Sequence, residues 1–218
     1  MPGDADTHRL VSAARLVGVR DRRVLDALAV VARAAYVPPG REREAGFDRP
    51  IEIGCGQVTT QPSLVAAMVE ALGLRGDERV LEVGAGLGYQ AAVLACLARE
   101  VWSVERRQEL AAAARDNLAA QGVEHAIVVV GDGTEGLPEH APYDGIVIAA
   151  AHPRVPPPLV HQLAFGGRLV QPIGPSGAED VVAFRRLPDG RLLRERSIIR
   201  ARFVPLYGRH GFTAVSGL

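Results

Sequence analysis

One stretch constrains this chain more than any other: Val80-Leu81-Glu82-Val83-Gly84-Ala85-Gly86-Leu87-Gly88-Tyr89. An apolar run of strand length passes into glycines at alternate positions and then into an Ala/Leu-rich segment. Glycine permits a tight turn and lets a ligand approach the backbone closely. The helix that follows aims unpaired N–H groups and the positive end of its dipole at the same spot. Strand, glycine turn and helix in this order predict an α/β sheet with a nucleotide-like ligand above a strand tip.

The rest of the core keeps that rhythm. Strands are expected at 79–83, 101–105, 126–130, 145–149 and 168–173, with helices at about 88–98, 107–121 and 156–164. Such alternation is the pattern of a parallel sheet covered on both faces. Segments 181–187 and 192–203 flank Pro188-Asp189-Gly190 and predict an antiparallel hairpin added to the sheet. Upstream, Leu10, Ala14 and Val17, then Val24, Leu25, Leu28 and Val31, recur at helical steps. They predict two amphipathic helices broken near Gly18 and ended by Tyr36-Val37-Pro38-Pro39-Gly40.

Composition removes several functions. All 25 basic residues are arginine, so Schiff-base, pyridoxal-phosphate and phosphate-loop lysines are ruled out. The 25 acidic residues balance them, and nothing in the net charge favours nucleic acid. Cys55 and Cys96 stand 41 positions apart without paired Cys/His spacing, and the six histidines lack i, i+4 pairs. No metal site or disulfide framework is therefore expected, and a reducing cytoplasm fits best. Of the histidines, only His152, near the fourth strand end, is of functional interest. The start, MPGDADTHRL, is polar and acidic where a signal peptide is basic and then apolar, and no apolar run reaches a membrane span. No membrane partner is expected.

Spacing discriminates between cofactors. A dinucleotide fingerprint needs glycine at 89, where Tyr89 stands. G-x-G-x-G after Glu82 instead resembles the first motif of S-adenosylmethionine-dependent methyltransferases. The next strand ends in Glu105, 21 residues beyond Gly84, where a carboxylate can accept from both ribose hydroxyls. Gly131-Asp132-Gly133 follows the third strand, where this class reads the adenine amino group; alone, the triplet also reads as a plain turn. Glu82 either positions the glycine loop or meets the cofactor's ammonium.

The segment Ile51-Glu52-Ile53-Gly54-Cys55-Gly56-Gln57-Val58-Thr59-Thr60-Gln61-Pro62 would by itself be a loop suited to binding an extended peptide. It resembles the G-Q-T-x-S-Q-P signature of the protein-L-isoaspartate O-methyltransferase family, and Phe47-Asp48-Arg49-Pro50 resembles what precedes it there. The similarity continues through 81–95, Gly131–Pro138, Ala141–Asp144, Gly166–Val170, Pro172–Gly174 and Arg202–Gly208, in the family's order.

The resemblance implies a Rossmann-like methyltransferase fold: a mostly parallel seven-stranded sheet, a C-terminal antiparallel hairpin and an N-terminal helical layer. At 218 residues one domain is expected over 1–218, comprising a helical layer and connector (1–50), signature loop and helix (51–78), cofactor core (79–175) and C-terminal strands (176–218). The implied enzyme uses S-adenosylmethionine, leaving S-adenosylhomocysteine, to methylate the free α-carboxylate of L-isoaspartyl residues in aged peptides and proteins. The ester collapses to a succinimide that reopens partly to aspartate. By the same resemblance Thr60 is the catalytic position, and Val58, Thr59, Gly84, Ala85, Gly86, Gly88, Glu105, Asp132 and Gly133 bind the cofactor; Glu82 is counted with them for its place before the glycine turn. A monomer in the cytoplasm is expected.

Two departures stand out. The family's T-x-S reads Val58-Thr59-Thr60, so one hydroxyl is lost, the middle position gains one, and serine becomes threonine. Tyr207 stands where some relatives carry threonine. The altered loop leaves room for an alternative, methylation of a normal aspartate side chain in a dedicated ribosomal peptide to give aspartimide. A small-molecule methyltransferase would not need the 51–62 segment, and an inactive binding module would not need the hydroxyl at Thr60.

Overall fold

Strands β3 (Arg79–Val83), β4 (Glu100–Glu105), β5 (Ala126–Val130), β6 (Tyr143–Ile148), β7 (Leu163–Ile173), β8 (Glu179–Arg186) and β9 (Leu192–Ala201) form one sheet in the order β5-β4-β3-β6-β7-β8-β9. This computed structural model describes residues 3–175 and 177–213; the ends of the expected domain, 1–2 and 214–218, lie outside the described residues. The first five strands are parallel, and β8 and β9 run antiparallel. The chain moves outward from β3 to β5 and then returns to the other side of β3 at β6. Sheets of this kind bind ligands at such a reversal, beyond the carboxyl ends of the strands.

Period-two alternation sorts the strand residues onto two faces. Val80, Val101, Val128, Val147 and Val170 pack under α1 (Gly3–Leu16), α2 (Arg22–Val30), α3 (Pro62–Leu72), α4 (Tyr89–Ala95) and α5 (Gln108–Ala120). Leu81, Val83, Ile146, Ile148 and Leu169 pack on the opposite face with Leu159 of α6 (Pro157–Gln162) and with Leu206. Both layers are legible in the sequence because buried parallel strands read as nearly unbroken apolar runs.

Differences from expectation have local causes. Strand β7 begins at Leu163 rather than 168, because Gly166 takes φ +82° and the pairing with β6 shifts register between Tyr143 and Gly145, so the Gly166-Gly167 pair bends the strand without ending it. Residues 51–62 are not simply a loop. β1 (Glu52–Gly54) and β2 (Gln57–Val58) form an antiparallel ribbon, with Cys55 at φ +52° between Gly54 and Gly56. Pro62 then opens α3, where a missing N–H costs nothing, and Gly73 in the left-handed conformation closes it.

After β9 the chain returns across the strand tips. Ala151 N–H donates to Val204 O and Leu206 N–H to Ala151 O, each at 2.8 Å, which fixes Val204–Tyr207 beside the end of β6.

Candidate active site

The turn after β3 opens a cleft. Gly84, Gly86 and Gly88 have φ of +96°, +55° and +95°, a region that side-chain-bearing residues resist. The cleft is open to solvent. Its wall contains Val58, Thr59 and Thr60, then Gly84, Ala85 and Gly86, then Glu105 and Gly133. Glu82, Gly88 and Asp132 are not among the residues of that wall.

Glu105 is buried at the tip of β4. Its Oε2 accepts from Gly86 N–H at 3.0 Å and its Oε1 from Arg107 N–H at 2.9 Å. One carboxylate thus ties the glycine turn to the neighbouring strand while facing the cleft. Gly133 has no room for a side chain, since a Cβ would overlap Val83. Asp132 faces the returning C-terminal loop: Oδ1 accepts from Thr134 N–H and Oγ1–H at 2.9 and 2.7 Å, and Oδ2 from Arg209 N–H at 2.6 Å. Burial works against its ionisation, but the bonds from Arg209 and Thr134 outweigh it and hold the carboxyl below its ordinary value.

Glu82 lies inside the sheet, fully buried, opposite its register neighbour Ser103 on β4. Ser103 Oγ–H donates to Oε2, and the Gln90 amide lies on the other side of the carboxyl. Burial pushes the carboxyl up to about 7, with Ser103 and Gln90 working against it. His152 Nδ1 lies 2.8 Å from Arg154 O and the ring stands edge-on to Phe212, outside the cleft wall.

Thr60 sits where this cleft meets a second one. Val58, Thr59, Thr60, Ala149 and Val204 line both, and the second continues along Pro50, Leu64, Ile199, Arg202 and Phe203. Thr60 Oγ1 makes no hydrogen bond within the described chain, whereas its neighbours are clamped. Thr59 Oγ1 accepts from Ile51 N–H at 3.0 Å, and Gln61 Nε2–H donates to Asp48 Oδ2 at 2.7 Å.

Several wall residues escaped the sequence reading. Tyr36, Ile53, Tyr89, Gln90, Arg106 and Leu110 all face the first cleft. Tyr207 does too, with the Arg106 guanidinium 5.4 Å from its ring centre. The Tyr89 hydroxyl is buried without a partner among the described residues, and the Gln90 amide is buried beside the Glu82 carboxyl. Their position directly after the glycine turn was the available signal. A cofactor carrying ribose hydroxyls matches the glycine cradle and the Glu105 carboxylate that line the cleft.

The sheet order, glycine turn and acidic strand tip define a Rossmann-like, S-adenosylmethionine-dependent methyltransferase. The family model described as protein-L-isoaspartate(D-aspartate) O-methyltransferase matches residues 5–211, and the chain belongs to that family. It is 50% identical over 195 residues to the protein-L-isoaspartate O-methyltransferase of Methanoregula boonei, covering 89% of each chain. It is 53% identical over 192 residues to that of Anaeromyxobacter dehalogenans, covering 87% of this chain and 91% of the relative. A solved protein-L-isoaspartate O-methyltransferase superposes with a TM-score of 0.83 at 29% identity, over 94% of this chain and 67% of the other. A Plasmodium falciparum β-aspartate methyltransferase structure, solved with S-adenosyl-L-homocysteine, shares the fold at a TM-score of 0.74 and 20% identity, over 91% of this chain and 96% of the other.

Proposed function

We infer that this enzyme methylates the free α-carboxylate of L-isoaspartyl residues in aged proteins and peptides, with S-adenosylmethionine as donor, and so starts their repair. The observation that carries the reading is the meeting of two clefts at Thr60, one holding the glycine turn and Glu105, the other running along Pro50, Arg202 and Phe203.

When bound, the cofactor supplies a sulfonium methyl group, a good electrophile. The 84–88 turn and Glu105 would hold its nucleoside, with Gly133 and Asp132 at the adenine end and the 58–60 loop nearest the methyl. An acceptor carboxylate of α-carboxyl type, with a pKa of about 3.3–3.7, arrives ionised and needs no base. The work left to the chain is alignment and desolvation, for which positioning can supply roughly 7–11 kcal/mol. Thr60 Oγ–H is free to donate to one carboxylate oxygen while the other attacks. Glu82, not among the wall residues, would stiffen the β3–β4 tip rather than touch the cofactor.

The described residues contain no helix long and apolar enough to cross a membrane. We read the chain as a single catalytic domain acting as a monomer in the cytoplasm on protein and peptide substrates, without nucleic acid. Mass spectrometry of an L-isoaspartyl peptide incubated with enzyme and S-adenosylmethionine tests the reaction. Gain of one methyl group followed by loss of methanol to the succinimide is expected, and an unchanged peptide contradicts the reading.

A further inference from the structure

Arg33 is the one buried arginine among the described residues, 3% exposed, and it pairs with no carboxylate there. Nη1 donates to Ala45 O at 3.2 Å and Phe47 O at 2.8 Å; Nη2 donates to Arg49 O at 2.8 Å and Thr59 Oγ1 at 2.9 Å. Asp48, the acid in that connector, lies near enough for its charge to act on Arg33 but hydrogen-bonds elsewhere, accepting from Gln61 Nε2–H at 2.7 Å and Ser63 N–H at 2.8 Å. Guanidinium stays charged when buried; burial works against that charge, the nearby Asp48 carboxylate favours it, and its hydrogen bonds all go to neutral oxygens. Thr59 Oγ1 accepts from both Arg33 and Ile51 N–H, so both of its lone pairs are engaged and its own proton is left to donate. Thr59 lines both clefts.

We propose that Arg33 and Thr59 form a positioning pair for the substrate: the Thr59 hydroxyl, polarised by the buried guanidinium, donates to the isoaspartyl carboxylate, which adds negative charge beside a guanidinium bonded only to neutral oxygens. The inference rests on the reaction proposed above. It also gives the hydroxyl at Thr59 a purpose, in a loop where the neighbouring position is Val58.

The test measures kcat and KM for an L-isoaspartyl peptide, calorimetric Kd for S-adenosylhomocysteine, and Tm, in wild type, T59V, T59S, R33K and R33K/T59V. T59V is expected to lower kcat/KM about 10- to 100-fold, the range for a hydrogen bond to a charged group. Its Kd for S-adenosylhomocysteine should stay within about threefold, and T59S should restore most of the loss. Because Arg33 acts through Thr59, the double variant should be no worse than the poorer single variant. The inference is overturned if T59V turns over normally, if T59S fails equally, if cofactor affinity falls in step with turnover, or if the two losses multiply. A wild-type enzyme that methylates no isoaspartyl peptide overturns the underlying reaction instead, and this pair with it.

Discussion

Asp48 and Gln61 lie 13 positions apart and are joined by a hydrogen bond of 2.7 Å from Gln61 Nε2–H to Asp48 Oδ2. The other carboxylate oxygen accepts from Ser63 N–H at 2.8 Å, in the first turn of α3. A residue from the preceding connector therefore caps the helix and holds the residue next to Thr60. Losing a cap of this type costs typically about 1 kcal/mol and up to about 2. Asp48→Ala should lower Tm by about 2–7 °C for a chain of this size and also reduce turnover, because the loop loses its downstream anchor. Calorimetry and initial rates check both, and an unchanged Tm would remove the capping role.

Thr60 carries the free hydroxyl at the junction of the clefts. Thr60→Ala is expected to lower kcat on an L-isoaspartyl peptide by about 10- to 100-fold, with little change in calorimetric affinity for S-adenosylhomocysteine. Thr60→Ser should be mild, since it keeps the donor. Equal losses in rate and affinity would show that Thr60 serves the cofactor instead.

Glu105 should behave in the opposite way. Glu105→Ala removes both the cleft-facing acceptor and the anchor of Gly86 N–H, so S-adenosylhomocysteine affinity should fall by more than about tenfold. Saturating cofactor should recover most of kcat. Glu105→Gln keeps one oxygen and should fall between the two proteins. Unaltered affinity in Glu105→Ala would contradict the assignment.

Glu82 should leave its mark on stability. Its carboxyl is raised to about 7 by burial, from an ordinary value of 4.5, so the folded state holds the proton more tightly than the unfolded state. Below about pH 4.5 both states are protonated and the group is neutral in effect. Between there and about pH 7 stability declines, by about 3 kcal/mol in all, and above that the penalty is constant. Glu82→Gln removes the titration while keeping an acceptor for Ser103. The variant's Tm relative to wild type should therefore rise between pH 5 and 7.5 and then level off, whereas a difference independent of pH would contradict the buried-acid description.

Much of this molecule was legible in its residues because the informative signals are local. Strand β3 matched residue for residue, since an apolar run bounded by Gly84 leaves no choice of register. The β8–β9 hairpin followed from Pro188-Asp189-Gly190. What stayed hidden depends on distant partners. Arg33 reads in sequence as a polar interruption after α2, and only the folded connector brings the carbonyls of residues 45, 47 and 49 around its guanidinium. Asp132 sits in the expected turn, but its bond to Arg209 crosses 77 positions. The β1–β2 ribbon was invisible because two glycines and a cysteine at positive φ do not resemble strand chemistry.

The most direct measurement compares kcat/KM for three peptides of identical sequence carrying L-isoaspartate, D-aspartate or L-aspartate at one position, with labelled S-adenosylmethionine. A cleft shaped around a displaced α-carboxylate should favour the L-isoaspartyl peptide over the L-aspartyl one by about a thousandfold or more, with any D-aspartyl activity between them. Methylation of the L-aspartyl peptide at a comparable rate, or of none of the three, would contradict the proposed reaction.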